Sequence, residues 1–203
     1  VDLTRKEIKD TYIVGENAQK VPVYGFTADE EHYYALSDQA IYVAPKNGAN
    51  LLDFNVWHAT TIELPAMSNC QTLHYVGESL LTIDEGKEVM RYQNAKWTSF
   101  YQGDTGKVSI HPSGTYTLIT GGSKGVDVYK SDWTLDRHYN LYAEDALLQG
   151  NEVWFAVGSQ GLGQYNQVTG LRLHKPSSIP NLPLKELSFS GDSLYVAHGG
   201  YWL

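Results

Sequence analysis

A strand–turn–strand unit returns about every forty residues along this chain, and that repetition limits the fold more than any single residue does. The clearest copy runs from Val153 to Gly170, VWFAVGSQGLGQYNQVTG. Val153-Trp154-Phe155-Ala156 is rich in β-branched and aromatic residues and reads as a strand. Gly158 and Gly161 supply a turn, Leu162 to Tyr165 starts a return strand, and Thr169-Gly170 closes it. Trp154 reads as a buried aromatic anchor, whose truncation to alanine is expected to cost roughly 3–5 kcal/mol.

Five segments share this grammar of apolar strand, polar turn and apolar strand. They pair Tyr24–Phe26 with Tyr33–Leu36 across Ala28–Glu31, and Leu73–Val76 with Leu80–Ile83 across Gly77–Ser79. Val108–Ile110 pairs with Tyr116–Ile119 across His111–Gly114, and Leu147-Leu148 with Val153–Ala156 across Gly150–Glu152. Leu187–Phe189 pairs with Leu194–Ala197 across Gly191–Ser193. The register is tight: Thr117, Gly122, Gly125 and Tyr129 each lie 36 residues before Val153, Gly158, Gly161 and Tyr165. Leu80, Val89 and Tyr92 lie 37 before Thr117, Val126 and Tyr129. Val126–Tyr129 and Leu162–Tyr165 read as third strands, Trp97–Phe100 and Leu171–His174 as outer ones. Units of this length with about four short strands are blades of a β-propeller. The expected fold class is therefore all-β, a propeller of four-stranded blades, with about four and a half blades in residues 1–203. The chain is either a single propeller domain or part of a larger one.

Helix is scarce: Glu144–Leu147 is the one place where a short turn is expected. Pro176, Pro180 and Pro183 mark Lys175–Pro183 as a link between blades. The fifth unit reaches Tyr201-Trp202-Leu203 with only two strands assigned, while Thr11–Val14 precedes the first unit as a plausible strand. Either that N-terminal stretch completes the fifth blade in a five-bladed ring, or the chain is an open part of a larger propeller.

Composition narrows the partners. A formal net charge of -8 disfavours nonspecific binding to nucleic acid or to an anionic membrane, which both need basic surface. No run approaches the roughly 20 apolar residues of a membrane span. Fifteen tyrosines and five tryptophans are read as packing between strands, with base or sugar stacking as the alternative. One cysteine, Cys70, rules out an internal disulfide, and export stays open because many exported proteins lack disulfides.

No motif carries an expected chemistry. His32, His58, His74, His111, His138, His174 and His198 are spread too far apart for a local zinc pattern and read as surface or packing residues. Cys70 has no flanking nucleophile signature and reads as a free thiol in a loop. Gly77-Glu78-Ser79 lacks the last glycine of a serine-hydrolase elbow, so Ser79 reads as a turn residue. Gly121-Gly122-Ser123-Lys124-Gly125 lacks the helix of a phosphate-binding loop and reads as a hairpin turn, like Gly158–Gly161. Asp29-Glu30-Glu31 and Asp84-Glu85 with Glu88 lack calcium-loop spacing and read as solvated turns. No catalytic residue, metal ligand or cofactor is expected, and the ligand-binding residues are not named by the sequence.

Two resemblances add to this reading. Val153–Ala156, Gly161-Leu162, Tyr165-Asn166 and Thr169-Gly170 resemble the repeat of two-component regulator propellers, the periplasmic glycan-sensing regions of hybrid histidine kinases. The units around Leu80 and Thr117 lack that family's tryptophan and Gly-Leu pair. Ser178–Asn181, Leu187–Phe189 and Leu194–Gly200 are similar to the N-terminal propeller region of PorZ-type proteins of the type IX secretion system. That similarity extends back to Tyr33–Leu36 and Ala40–Val43, although the link here reads Ile-Pro-Asn without the family's glycine. The PorZ-type resemblance implies an exported, non-catalytic scaffold at the cell surface or in the periplasm of a Gram-negative bacterium. It implies other secretion-system proteins and surface lipopolysaccharide as partners, in the attachment of secreted cargo. It also implies that this chain is a piece of a longer protein. The regulator resemblance implies a glycan sensor instead. A propeller lyase or glycosidase is the third reading, and would need converging carboxylates.

Overall fold

The computed structural model describes residues 12–15, 21–65, 70, 72–104, 107–175, 183–198 and 201–202. Among them there is no α-helix, only a 3-10 turn at Phe54–Val56. Five sheets are each filled by strands consecutive in the chain. The first holds β1 (Gly25–Ala28), β2 (His32–Leu36), β3 (Ile41–Pro45) and β4 (His58–Ala59). The second holds β5 (His74–Val76), β6 (Ser79–Asp84), β7 (Glu88–Gln93) and β8 (Lys96–Gln102). The third holds β9 (Ser109–Ser113), β10 (Tyr116–Thr120), β11 (Val126–Lys130) and β12 (Leu135–Tyr139). The fourth holds β13 (Asp145–Gln149), β14 (Glu152–Ala156), β15 (Leu162–Asn166) and β16 (Gly170–His174). The fifth holds β17 (Leu184–Ser190), β18 (Ser193–His198) and β19 (Tyr201–Trp202). This succession of up-and-down sheets is the blade pattern of a β-propeller, with four blades of four strands and a fifth of three among the described residues. The repeat is exact where the sequence register is tightest: β9, β10 and β11 begin 36 residues before β13, β14 and β15.

Several boundaries differ from expectation. His111–Ser113 belong to β9 and pair with Leu118–Tyr116, so the turn is only Gly114-Thr115. Pro112 is tolerated there because β9 is the first strand of its sheet and one backbone edge needs no ladder partner. Asp145–Leu147 form the start of β13 and not a helical turn. Ser79 opens β6 and is 1% exposed, so it is a buried strand residue and not a turn serine. The fifth unit has its third strand begun at Tyr201–Trp202, paired with Ala197-His198. Tyr12–Val14 form no strand, and Val14 instead packs into the first blade's core, whereas residues 1–11 lie outside the described residues. Of the Lys175–Pro183 link, Lys175 and Pro183 lie outside strands, and the resemblance-bearing 178–181 and 199–200 are not among the described residues.

The chain divides into two compact units, Val1–Asp84 with Met90–Thr98, and Glu85–Val89 with Ser99–Leu203. In the first unit, the first sheet buries both faces. Leu36 and Ile41, directly paired, pack with Leu73 and Leu80 of the second blade. Their neighbours Ala35 and Tyr42 point the other way and join Ala44, Val14 and Trp57. Trp57 is 2% exposed, and its indole Nε1 donates to the Leu51 carbonyl at 3.3 Å, which fixes the long β3–β4 connection on the sheet.

In the second unit, β14 shows why a propeller strand loses simple alternation: both of its faces meet a neighbouring blade. Val153 and Phe155 face the third blade, among Leu118, Val126, Val128, Ala143 and Ala146. Trp154 and Ala156 face the fifth, among Leu184, Leu187, Leu194 and Val196. The fully buried aromatic side chain of the strand is therefore Phe155, at 0% exposure, and not Trp154. Trp154 is half-buried, stacked on His174 with ring centroids 6.3 Å apart and set edge-on to Phe189. Phe155→Ala should cost about 3–5 kcal/mol, the toll of an aromatic-sized cavity, and Trp154→Ala about 1–2 kcal/mol. Urea unfolding of the two variants checks this ranking, and equal costs would contradict the assignment of faces.

Candidate functional site

The first strand of each sheet is an edge strand, and its unpaired backbone donors need partners from outside the sheet. For β5 and β17 a side chain of the preceding blade supplies one. Thr27 of β1 accepts from the Tyr75 amide of β5 through Oγ1 at 2.8 Å. Asp145, at the head of β13 and 1% exposed, does more. Its Oδ2 accepts from the Leu187 amide of β17 at 2.8 Å, while its Oδ1 accepts from Ser109 Oγ of β9 at 2.6 Å. His111 Nε2 lies 2.6 Å from the same Oδ1. Ser109 is held in turn by Thr120 Oγ1, at 3.0 Å from its amide and 2.9 Å from its hydroxyl. One carboxylate thus ties the third, fourth and fifth blades. Beside it, Glu144 Oε1 accepts from Tyr142 Oη at 2.7 Å and from Lys185 Nζ of β17 at 2.8 Å. Burial works against ionising Glu144, but the Lys185 and Tyr142 bonds hold its carboxyl below the usual value. These contacts are built for cohesion; the carboxylate of Asp145 is fully engaged and faces no open space.

A different place in the second unit is open. Between the third and fourth blades lies a cleft of about 410 Å³, lined by Tyr116 of β10, Asp136 and Arg137 of β12, and Leu148 of β13. The β13–β14 turn adds Gly150 and Asn151, and the β15–β16 turn adds Gln167. Arg137 lies over the Tyr116 ring, 5.5 Å from its centroid. Its Nε donates to Asp136 Oδ2 at 2.9 Å and its Nη1 to Tyr139 Oη at 3.4 Å. Asp136 also faces Lys130 Nζ at 3.4 Å. Asn151 and Gln167 are exposed turn residues.

The motifs singled out in the sequence resolve into structure. Asp29 accepts from the amides of Glu31 and His32 at 2.8 and 2.6 Å and from Tyr34 Oη at 2.7 Å, a local turn cap. Burial opposes its ionisation, yet these donors hold its carboxyl below the usual range. Burial, with the bond to Asp29, pushes the Tyr34 phenol well up. Glu30 and Glu31 are exposed, as a solvated turn requires, but Asp84 is 8% exposed and closes β6. Cys70 bridges to Asp84, and burial pushes its thiol up, the opposite of an activated nucleophile. Gly121–Gly125 is the expected hairpin turn. Gly125 has φ +91, and a Cβ there would sit 2.2 Å from the Tyr139 carbonyl; Gly161 repeats this against His174 at 2.5 Å, with φ +101. His138 meets Asp127 at 2.7 Å and His174 meets Gln164 at 3.0 Å, both as exposed surface residues. Among the described residues no group of three or more His, Cys, Asp and Glu gathers as a metal site would need. Arg137, Asn151 and Gln167 were not marked by the sequence, because β12 carries no glycine or tryptophan signal and turn amides are common.

No protein-family model matches the sequence, and no curated protein does. Solved structures share the fold. PorZ, a bacterial surface component of the type IX secretion system of Porphyromonas gingivalis, is 18% identical, with a TM-score of 0.62 over 99% of this chain and 27% of that one. The extracellular domain of a putative one-component system of B. thetaiotaomicron is 19% identical, with a TM-score of 0.56 over 95% of this chain and 28% of that one. YCF48 bound to a D1 peptide is 10% identical, with a TM-score of 0.60 over 89% of this chain and 62% of that one. This chain thus spans about a quarter of the PorZ chain. An extracellular domain of a putative hybrid two-component system of B. thetaiotaomicron also matches, 19% identical with a TM-score of 0.57 over 96% of this chain and 28% of that one, so both resemblances read from the sequence are met; at such identities the structures establish the β-propeller fold and no more.

Two outcomes test the blade junction. Asp145→Ala strands the buried Leu187 amide and the Ser109 hydroxyl, and should cost about 3–5 kcal/mol in urea unfolding, with Asp145→Asn costing less. Glu144 contributes stability above its ordinary value of 4.5, which is lost as the pH falls through its lower folded value. The stability gap between the native chain and Glu144→Gln should therefore narrow on acidification below that value, and a gap that widens would reverse the assignment.

Proposed function

We propose that this chain is a non-catalytic binding propeller, part of an exported protein that works at the bacterial surface in a type IX secretion machinery. The observation that supports it is the agreement of two kinds of likeness to the same protein. The sequence runs Tyr33–Leu36, Leu187–Phe189 and Leu194–Ala197 resemble PorZ-type propellers, and 99% of the chain superposes on PorZ. In this reading the chain is a piece of a longer protein, its partners are other secretion-system proteins and surface lipopolysaccharide, and it lies at the outer membrane surface. The strands most like PorZ are packing elements, which fits a scaffold better than an enzyme.

A second reading, the glycan-sensing propeller of a regulator, is favoured by the Val153–Gly170 unit and by the likeness to the B. thetaiotaomicron extracellular domains.

Mild cross-linking in cells followed by affinity capture of the full-length protein separates them. Recovery of type IX secretion components together with surface lipopolysaccharide is the expected result. Capture of a kinase-linked sensor with a soluble glycan, and no secretion component, would overturn it in favour of the second reading.

A further inference from the structure

We propose that the cleft between the third and fourth blades binds a carboxylate carried on a hydroxylated framework, that is, a sugar acid, with Arg137 as its anion-recognising residue. This site does not depend on the secretion reading.

The cleft measures about 410 Å³, within the range of small-molecule sites. Arg137 is held on three sides: the Tyr116 ring beneath it, Asp136 on Nε and Tyr139 Oη on Nη1. Such bracing fixes the guanidinium plane before any ligand arrives, so little freedom is lost on binding. Nη2 carries the remaining donors, from which a ligand carboxylate accepts a charge-assisted hydrogen bond. Only 25% of the Arg137 side chain is exposed, which strengthens a charged hydrogen bond relative to one in open water.

Asp136 meets both Arg137 and Lys130, and Lys130 also faces the charge of Asp132, so the neighbouring charges balance and anion recognition rests on the Arg137 guanidinium itself. In a chain of net charge -8 an unspecific anion site is not expected.

The rest of the lining selects the framework. Asn151 and Gln167 bring both donors and acceptors from turns, and Tyr116 brings a hydroxyl. Leu148 is the one aliphatic side chain of the lining. A ligand rich in hydroxyls satisfies this set, and one with a large apolar side chain does not.

The test is calorimetric titration of the chain at low salt with D-galacturonate, D-galactose and diglycine, a peptide with a free carboxylate. Galacturonate should bind, with galactose and diglycine each more than about tenfold weaker. Arg137→Met should weaken galacturonate at least about tenfold, and Asn151→Ala about threefold, with the circular dichroism spectrum unchanged. Equal binding of galactose would remove the anion from the proposal, and equal or tighter binding of diglycine would assign a peptide terminus instead. No galacturonate binding at about 10 mM overturns it outright. Should Arg137→Met fail to fold, the double variant Asn151→Ala, Gln167→Ala takes its place, and undiminished affinity there overturns the site.

Discussion

A buried carboxylate holds the second unit together. Asp145 spends one oxygen on the Leu187 amide of the fifth blade and the other on Ser109 and His111 of the third. A sheet that opens with an edge strand must find partners for that edge's amides, or bear the cost of burying them bare. Asp145 meets this need from the neighbouring blade, so the bond that satisfies one sheet also joins it to the next. Thr27 does the same for Tyr75 in the first unit, with a hydroxyl in place of a charge. The apolar seams then add bulk to a geometry already fixed by polar ties, with Phe155 on one face of β14 and Trp154 on the other.

The sequence made the repeat legible because turn chemistry is local. Gly125 and Gly161 stand 36 residues apart and serve one purpose: each lets the chain pass close to the carbonyl that ends its blade's outer strand. Only glycine fits such an approach at positive φ. Strands flanking these turns could be placed from pattern alone, and β11, β15 and β16 fall where the register puts them. β12 and β4 could not be placed so. β12 has three polar residues in a row, Asp136-Arg137-His138, and is preceded by a turn at Trp133, a bulky residue at φ 66 where glycine would have been a signal. Trp133 tolerates that backbone beside Phe100, with ring centroids 5.0 Å apart. β4 is two residues long.

Which aromatic residue is buried also escaped the sequence. Period-two alternation tells the two faces of a strand apart only when one face is wet. In β14 both faces are covered, so V-W-F-A carries no mark that singles out Phe155 over Trp154. The candidate cleft was illegible for a related reason. Arg137, Leu148, Asn151 and Gln167 come from four segments of two blades, and nothing local in any of them announces the others. Asp145 did leave a trace, the second acid of Glu144-Asp145 ahead of Ala146-Leu147-Leu148, at the position where the preceding unit has Ser109. Function sits further still from the sequence pattern, since a propeller's repeat encodes its packing and leaves ligands to clefts and rims.

The central claim, that Asp145 locks the first strand of the fifth blade to the two blades before it, is tested most directly by hydrogen exchange at the Leu187 amide. The account predicts that this amide exchanges only through global unfolding, with the protection of the most stable core strands. Exchange at the rate of an open edge amide would show that the bond from Leu187 to Asp145 does not hold in solution, and the polar junction would lose its place as the organising element of the fold.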